Sequence, residues 1–269
     1  MLMDVSDAFE LAREAATYLR DRLGEDKIDI ALVLGSGWSS GADALGEAVG
    51  ELELGEVPGF SKPVVSGHGG KLLLVRTAGG KLAAIFTGRT HYYEGRGVAP
   101  VAHGVRTAKE WGAEIMVLTN GCGGLNPEWA PGTVVLIKDH INLTGDTPLE
   151  GATFIDLSEA YSQRLRDIAK EAAGDLPEGV YVQFRGPQYE TPAEVRMAGI
   201  LGGDLVGMST TLETIAAREA GMEVLGLSLV TNAAAGMSET NLDHTEVLQT
   251  GKDAGPRLAS LLASIVEKL

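Results

Sequence analysis

The stretch TGRTHYYEG, residues 87–95, gathers a guanidinium (Arg89), an imidazole (His91) and two phenols (Tyr92 and Tyr93) among two glycines. Arginine offers a planar fork of donors matched to phosphate, and a nearby imidazole adds another donor. The phenols bring apolar faces with polar tips. Together they suit an anion with a polar organic body. As an ordinary surface loop, the stretch would instead pair Arg89 with one of the chain's many carboxylates.

Three other apolar runs end in loops of similar interest. LVLGSGWSSGA has Gly35 and Gly37, which let a backbone approach an anion, and Ser36, whose hydroxyl can donate to it. It lacks the lysine of a triphosphate-binding loop and has Ser40 where a dinucleotide fingerprint needs its third glycine; a plain tight turn explains it equally well. VLTNGCGGLNP places three glycines in residues 120–124, either freeing backbone amides for a ligand or making a glycine-rich turn. Its Cys122 is expected to be a buried thiol, because no partner base is indicated. GLSLVTNAAAG ends in Thr231 and Asn232; the asparagine amide can donate and accept, which suits the edge of a heterocycle or a turn.

RGPQYETPAEV sets Glu190, an acceptor, beside the Tyr189 ring. It also reads as a helix start, with Thr191 as N-cap, Pro192 at the first helical position and Glu194 in the first turn. Among the other histidines, His68 is glycine-flanked and could bind an anion, while His103 falls in a helical pattern and is expected to be structural. His140 could be either; His244 precedes the last helix and could close over a ligand or cap. There is no HExxH motif or clustered Cys/His spacing, so no metal site is expected.

The elements that must hold these groups alternate. Helical periodicity covers 6–23, with Ser6 as N-cap and Gly24 as stop, and then 98–111, 159–173, 192–201, 210–220 and 245–266. Strands are expected within IDIALVLGSG and at 72–75, 82–86, 115–119, 134–137, 180–184 and 223–230, with a hairpin turning at Gly79-Gly80. This order predicts an α/β fold, a three-layer sandwich around a mixed, largely parallel central sheet. No linker, repeat or charge block divides residues 1–269, which read as one domain.

The balance of charge limits the partners. With 37 acidic and 22 basic residues the formal net charge is -15, which argues against nucleic acid and means that any phosphate site is made locally. One cysteine excludes an intrachain disulfide framework and suits a reducing compartment. No leader-like or membrane-spanning run is present, so a soluble, cytoplasmic protein is expected.

Taken in order, the stretches LGSG, GHGGKL, GRTHYYEG, TNGCGGLNP, DHINL, GPQYET, VGMST, SLVTNAA and DHTEV resemble the trimeric class of purine nucleoside phosphorylases, which also includes methylthioadenosine phosphorylase. The resemblance runs from residue 34 to 247. It implies a phosphate pocket from Ser36, His68, Arg89, Thr90, His91, the Gly121 backbone and Ser209. It further implies ribose contacts from Tyr93, Met208 and His244, and purine contacts from Tyr189, Glu190 and Asn232. Arg89, His91, Glu190 and Asn232 would carry catalysis, with phosphate as co-substrate and neither cofactor nor metal. The implied reaction is reversible cleavage of inosine or guanosine by phosphate, in a homotrimer. Asn232 stands where methylthioadenosine phosphorylases carry Asp, which favours 6-oxopurines. Two departures stand out. Mammalian-type members have alanines at Gly121-Cys122, and LTGDTPLEGATF is shorter than theirs, leaving Phe154 as the candidate to reach a neighbouring subunit's ribose.

Overall fold

A computed structural model describes residues 5–61, 70–238 and 244–269. Its strands are β1 Ile30–Val33, β2 Glu47–Glu53, β3 Lys71–Arg76, β4 Leu82–Phe86, β5 Ile115–Gly124, β6 Val134–Asn142, β7 Glu178–Gln183, β8 Leu205–Gly207 and β9 Glu223–Ala233. Its helices are α1 Val5–Leu23, α2 Ala99–Glu110, α3 Gln163–Ala173, α4 Pro192–Ile200, α5 Thr211–Glu219 and α6 His244–Lys268.

Side chains alternate across a strand, so each central strand feeds two cores. In β1, Ala31 and Val33 join one cluster with Ala15 and Leu19 of α1, Ala102 and Val105 of α2, and Ala216 of α5. Ile30 and Leu32 join the other with Leu165 of α3 and Leu258 and Leu262 of α6. Burial of each such valine, leucine or isoleucine side chain contributes about 1.5–3 kcal/mol. These two apolar faces force the three layers expected from the sequence: α1, α2 and α5 on one side, the sheet, and α3 and α6 on the other.

The strands run in the order β2-β3-β4-β1-β5-β8-β7-β6-β9, with β9 returning to pair along β5. Strands β5, β8, β7, β6 and β9 therefore close a ring at one end of the sheet. Among the described residues five pairings are parallel and four antiparallel. Strands β4, β1, β5 and β9 are mutually parallel, so their carboxyl ends open on one side, where ligands collect in such sheets. The outer strand β2 exposes Glu47, Glu51 and Glu53, charges that discourage pairing with a further strand.

Several boundaries differ from the sequence reading. Helix α1 already includes Val5, so Ser6 is not its N-cap, although Gly24 ends it in a left-handed conformation. Helix α3 begins only at Gln163, because the Ser162 hydroxyl accepts from Leu165 N and sets the start there. The Thr191 cap of α4 stands as expected, with its hydroxyl accepting from Glu194 N and Pro192 following. Strands β2 and β8 add to those expected.

Candidate active site

The largest correction falls where the site begins. Residues 120–124 do not form a loop: they continue β5, in register with residues 228–233 of β9 across an irregularity at Cys122/Gly123. Gly123 and Gly124 also pair with Val206 and Leu205 of β8. Small side chains leave room for this crowding, since a Cβ on Gly123 would sit 3.1 Å from Val206 Cγ2. Asn120, Gly121 and Asn232 are thus carried on paired strands rather than on loops, which holds them more rigidly.

Gly35 and Gly37 serve packing. A Cβ at Gly35 would lie 2.4 Å from the Thr119 carbonyl oxygen and 2.8 Å from Arg89 Nη1, so only glycine leaves space for that guanidinium. Gly37, at φ 85°, lies against Gly251 of α6, where an added Cβ would be 2.6 Å from Gly37 Cα. Ser36 between them lines a cavity of about 370 Å³.

That cavity is where most of the expected residues meet. Ser36, Arg89, His91, Gly121 and Ser209 line it, as do Tyr93, Tyr189, Glu190, Met208 and Asn232. Asn120 and Thr231 line it too; neither was singled out as a site residue, because a buried asparagine and a strand threonine carry no distinctive spacing. Thr90 lines a neighbouring cavity instead, one that Arg89 also borders. Phe154 is 93% exposed, on the connection between β6 and α3, and does not reach this chain's cavity. His68 lies outside the described residues. His244 opens α6, and its side chain lies outside what is described.

Arg89 is held from several sides. Its Nε donates to Glu213 Oε1 at 3.0 Å, and its Nη1 donates to the Thr119 carbonyl at 2.7 Å and to Ser209 Oγ at 3.4 Å. Nη2 is buried and, among the described residues, has no hydrogen-bond partner. In the same loop the His91 ring stacks on Tyr93, and His91 N donates to Glu94 Oε1 at 2.7 Å. Burial, ahead of Glu94, raises the Tyr93 phenol above its ordinary value, while Arg89 opposes the rise; it stays a hydroxyl donor at neutral pH.

The base end has the opposite character. Glu190 is buried, and among the described residues its Oε1 has no hydrogen-bond partner. Burial raises its carboxyl above the ordinary range, a hydrogen bond from its own backbone opposes this, and Glu194 adds to the rise. The Asn232 amide is tied at both ends: Oδ1 accepts from the Thr231 hydroxyl at 2.8 Å and Nδ2 donates to the Ala233 carbonyl at 2.8 Å. Gly186 leaves room for Met208 and Tyr93 to pack against it, for a Cβ there would lie 2.4 Å from Met208 Sδ and 3.2 Å from Tyr93 Cδ1.

Cys122 touches the cavity without chemistry to offer. Its thiol donates to the Leu229 carbonyl at 3.4 Å, and burial pushes it up to about 12, so it is not a thiolate at neutral pH. His103 packs on Phe60 and its Nε2 meets the Pro58 carbonyl at 2.9 Å, a structural placement. Partial burial lowers the His140 imidazole to about 4, against the pull of Asp139, and its Nδ1 lies 3.1 Å from the Tyr161 hydroxyl, away from the cavity. Among the described residues no group of three His, Cys, Asp or Glu side chains is arranged to hold a metal ion.

A profile of the Phosphorylase superfamily matches residues 29–267. The chain is 58% identical to a purine nucleoside phosphorylase of Cellulomonas sp, an alignment covering 98% of this chain and 95% of that one. It is 50% identical to the purine nucleoside phosphorylase of Mycobacterium tuberculosis strain H37Rv, with 97% of each covered. The fold superposes on a crystal structure of a schistosoma purine nucleoside phosphorylase in complex with hypoxanthine, with a TM-score of 0.88, 34% identity and 97% of both chains covered. Sequence and fold together show that the chain belongs to the Phosphorylase superfamily, in the purine nucleoside phosphorylase family.

Proposed function

We propose that this chain catalyses the reversible phosphorolysis of 6-oxopurine nucleosides, such as inosine and guanosine and their deoxy forms, to free base and (deoxy)ribose 1-phosphate in purine salvage. One observation carries the reading: a single cavity is lined both by an arginine with a buried nitrogen and by a buried glutamate with an oxygen that have no hydrogen-bond partner among the described residues. Buried polar groups without partners are costly. Phosphate oxygens would satisfy Arg89, and the N1–H of a 6-oxopurine would satisfy Glu190.

Breaking the glycosidic bond builds positive charge on the sugar and negative charge on the departing base, so catalysis is mainly electrostatic stabilisation of both. Ser36, Arg89, His91, the Gly121 backbone and Ser209 place a phosphate dianion beneath C1′, where its oxygen attacks opposite the base and inverts that carbon. Tyr93 and Met208 hold the ribose, with His244 as a further contact, and Tyr189 covers the base. Asn232 releases its internal bonds to reach N7 and O6 as the base gains charge, while Glu190 accepts from N1–H. No step needs an enzyme nucleophile, a cofactor or a metal.

The same reading makes the protein one phosphate-binding domain in a cytoplasmic homotrimer, acting on nucleosides rather than nucleic acid or membranes. The exposure of Phe154 suits contact with a neighbouring copy's ribose. Among the described residues no helix is long and apolar enough to cross a membrane. The decisive experiment incubates the protein with inosine, guanosine, adenosine or methylthioadenosine, with and without phosphate, and quantifies base and sugar product. Phosphate-dependent release of hypoxanthine and guanine with ribose 1-phosphate is expected. Equal release without phosphate, yielding free ribose, would mean a hydrolase.

A further inference from the structure

We propose that Glu213 is a positioning residue for phosphate: one buried carboxylate sets both the Arg89 guanidinium and the turn that presents Ser209. The inference rests on the phosphorolysis reading above.

Glu213 divides its two oxygens between different partners. Oε1 accepts from Arg89 Nε at 3.0 Å, and Oε2 accepts from Thr210 N at 2.9 Å. Thr210 has φ 78° and ψ -48°, and among the described residues it is the one non-glycine with positive φ. Thr211 N donates to the Ser209 carbonyl at 2.9 Å, so Thr210 is the centre of a γ-turn of the strained, positive-φ kind. Such strain persists only where surroundings over-determine it. Here Asn120 Nδ2 donates to Thr210 Oγ1 at 2.9 Å, and Glu213 holds the turn's amide from the other side. Gln183 Oε1 meanwhile accepts from Thr211 N and Leu212 N, so those first amides of α5 are satisfied without Glu213.

The partnership also decides what kind of attraction the pocket offers. The Arg89 and Glu213 side chains are 5% and 2% exposed, so the pair adds almost no net charge to the wall. Phosphate is then held by where donors point rather than by excess positive charge. The two alternatives differ in sign. If net charge governed, removing the negative charge of Glu213 would tighten phosphate; if position governs, removing it loosens phosphate.

Glu213→Gln separates them. Glutamine has one acceptor oxygen, so it can serve Arg89 Nε or Thr210 N but must turn its NH₂ toward the other donor. The KM for phosphate is expected to rise tenfold or more, the KM for inosine to change less than threefold, and kcat to fall, in protein shown folded by its melting transition. In an Arg89→Ala background, where both buried charges are removed together, Glu213→Gln is expected to lower kcat/KM for phosphate by a clearly smaller factor than in the unmodified protein, because only its hold on the Ser209 turn is left to lose. That comparison still decides the matter if the single variant is poorly folded. An unchanged or lowered phosphate KM, equal rises in both KM values, or a full further loss in the Arg89→Ala background would overturn the proposal. Absence of phosphate-dependent base release by the unmodified protein would instead overturn the function on which it rests.

Discussion

His91 and Tyr93 stack face to face, with ring centroids 4.7 Å apart and planes 15° from parallel. The proposed phosphate ligand and the proposed ribose ligand therefore brace each other within one loop. Tyr93→Phe keeps the ring and loses only a hydroxyl, so the nucleoside KM should rise about fivefold, the scale of one hydrogen bond, with phosphate KM unchanged. Tyr93→Ala also frees His91, and both KM values should rise. Two-substrate steady-state kinetics distinguish the patterns; identical behaviour of the two variants would remove any role for the stack.

Arg89→Ala should weaken phosphate by about 1.5–3 kcal/mol, the range for a hydrogen bond to a charged group, while leaving purine affinity nearly intact. It also strands the buried carboxylate of Glu213, so the melting temperature should drop. Adding Glu213→Gln removes the stranded charge and should recover part of that loss. Calorimetric melts of the single and double variants check this.

Asn232→Asp tests the choice of base. The native amide donates to the Ala233 carbonyl, a bond that a carboxylate cannot make. The carboxylate introduced by this substitution would also repel O6 of inosine but accept from the 6-amino group of adenosine. The ratio of kcat/KM for adenosine over inosine should rise about tenfold or more, as expected where buried hydrogen-bonding groups read the substrate. Steady-state rates with both nucleosides at saturating phosphate measure it; a ratio that stays put would assign Asn232 to another part of the base.

Glu190 is a place where stability and function pull apart. Its folded-state pKa is raised, so the native protein binds that proton more readily than the unfolded chain and stability falls as pH rises through the folded value. Glu190→Gln should therefore melt higher at neutral pH, by about 2–4 °C for each 1 kcal/mol relieved, and the gain should shrink as pH falls. Inosine binding should weaken in the variant. In the unmodified protein it should weaken on acidification sooner than an ordinary carboxylate would dictate. Melts and inosine KM values across a pH series test both signs.

Much of this arrangement was legible in the residues. The Gly79-Gly80 hairpin is present, with Gly80 at φ 81° and its amide donating to the Thr77 carbonyl at 2.8 Å. Most residues expected at the site do line one cavity, because strand ends in an α/β sheet converge. What could not be read was decided by distant pairing. Glycine-rich residues 121–124 look like a turn until β9 and β8 arrive on either side. Strand β8 has only three residues, too few for a periodic signal. Glu213 lies within the helical pattern of 210–220 with no spacing to mark it, and only the fold buries it against Arg89.

The return of β9 to β5 ties the cavity to the order in which the chain can fold. Residues 115–124 wait for residues 223–233, across more than a third of the chain, before the ring can close. Contacts so far apart in sequence form late and slowly, because the intervening chain must first lose its freedom. The walls contributed by Asn120, Gly121 and Asn232 exist only once that closure is complete. A folding intermediate built from β1 to β4 would carry Arg89 but no base site. Phosphate and nucleoside would therefore leave the early steps of refolding unassisted and act on the finished protein, as a brake on its unfolding.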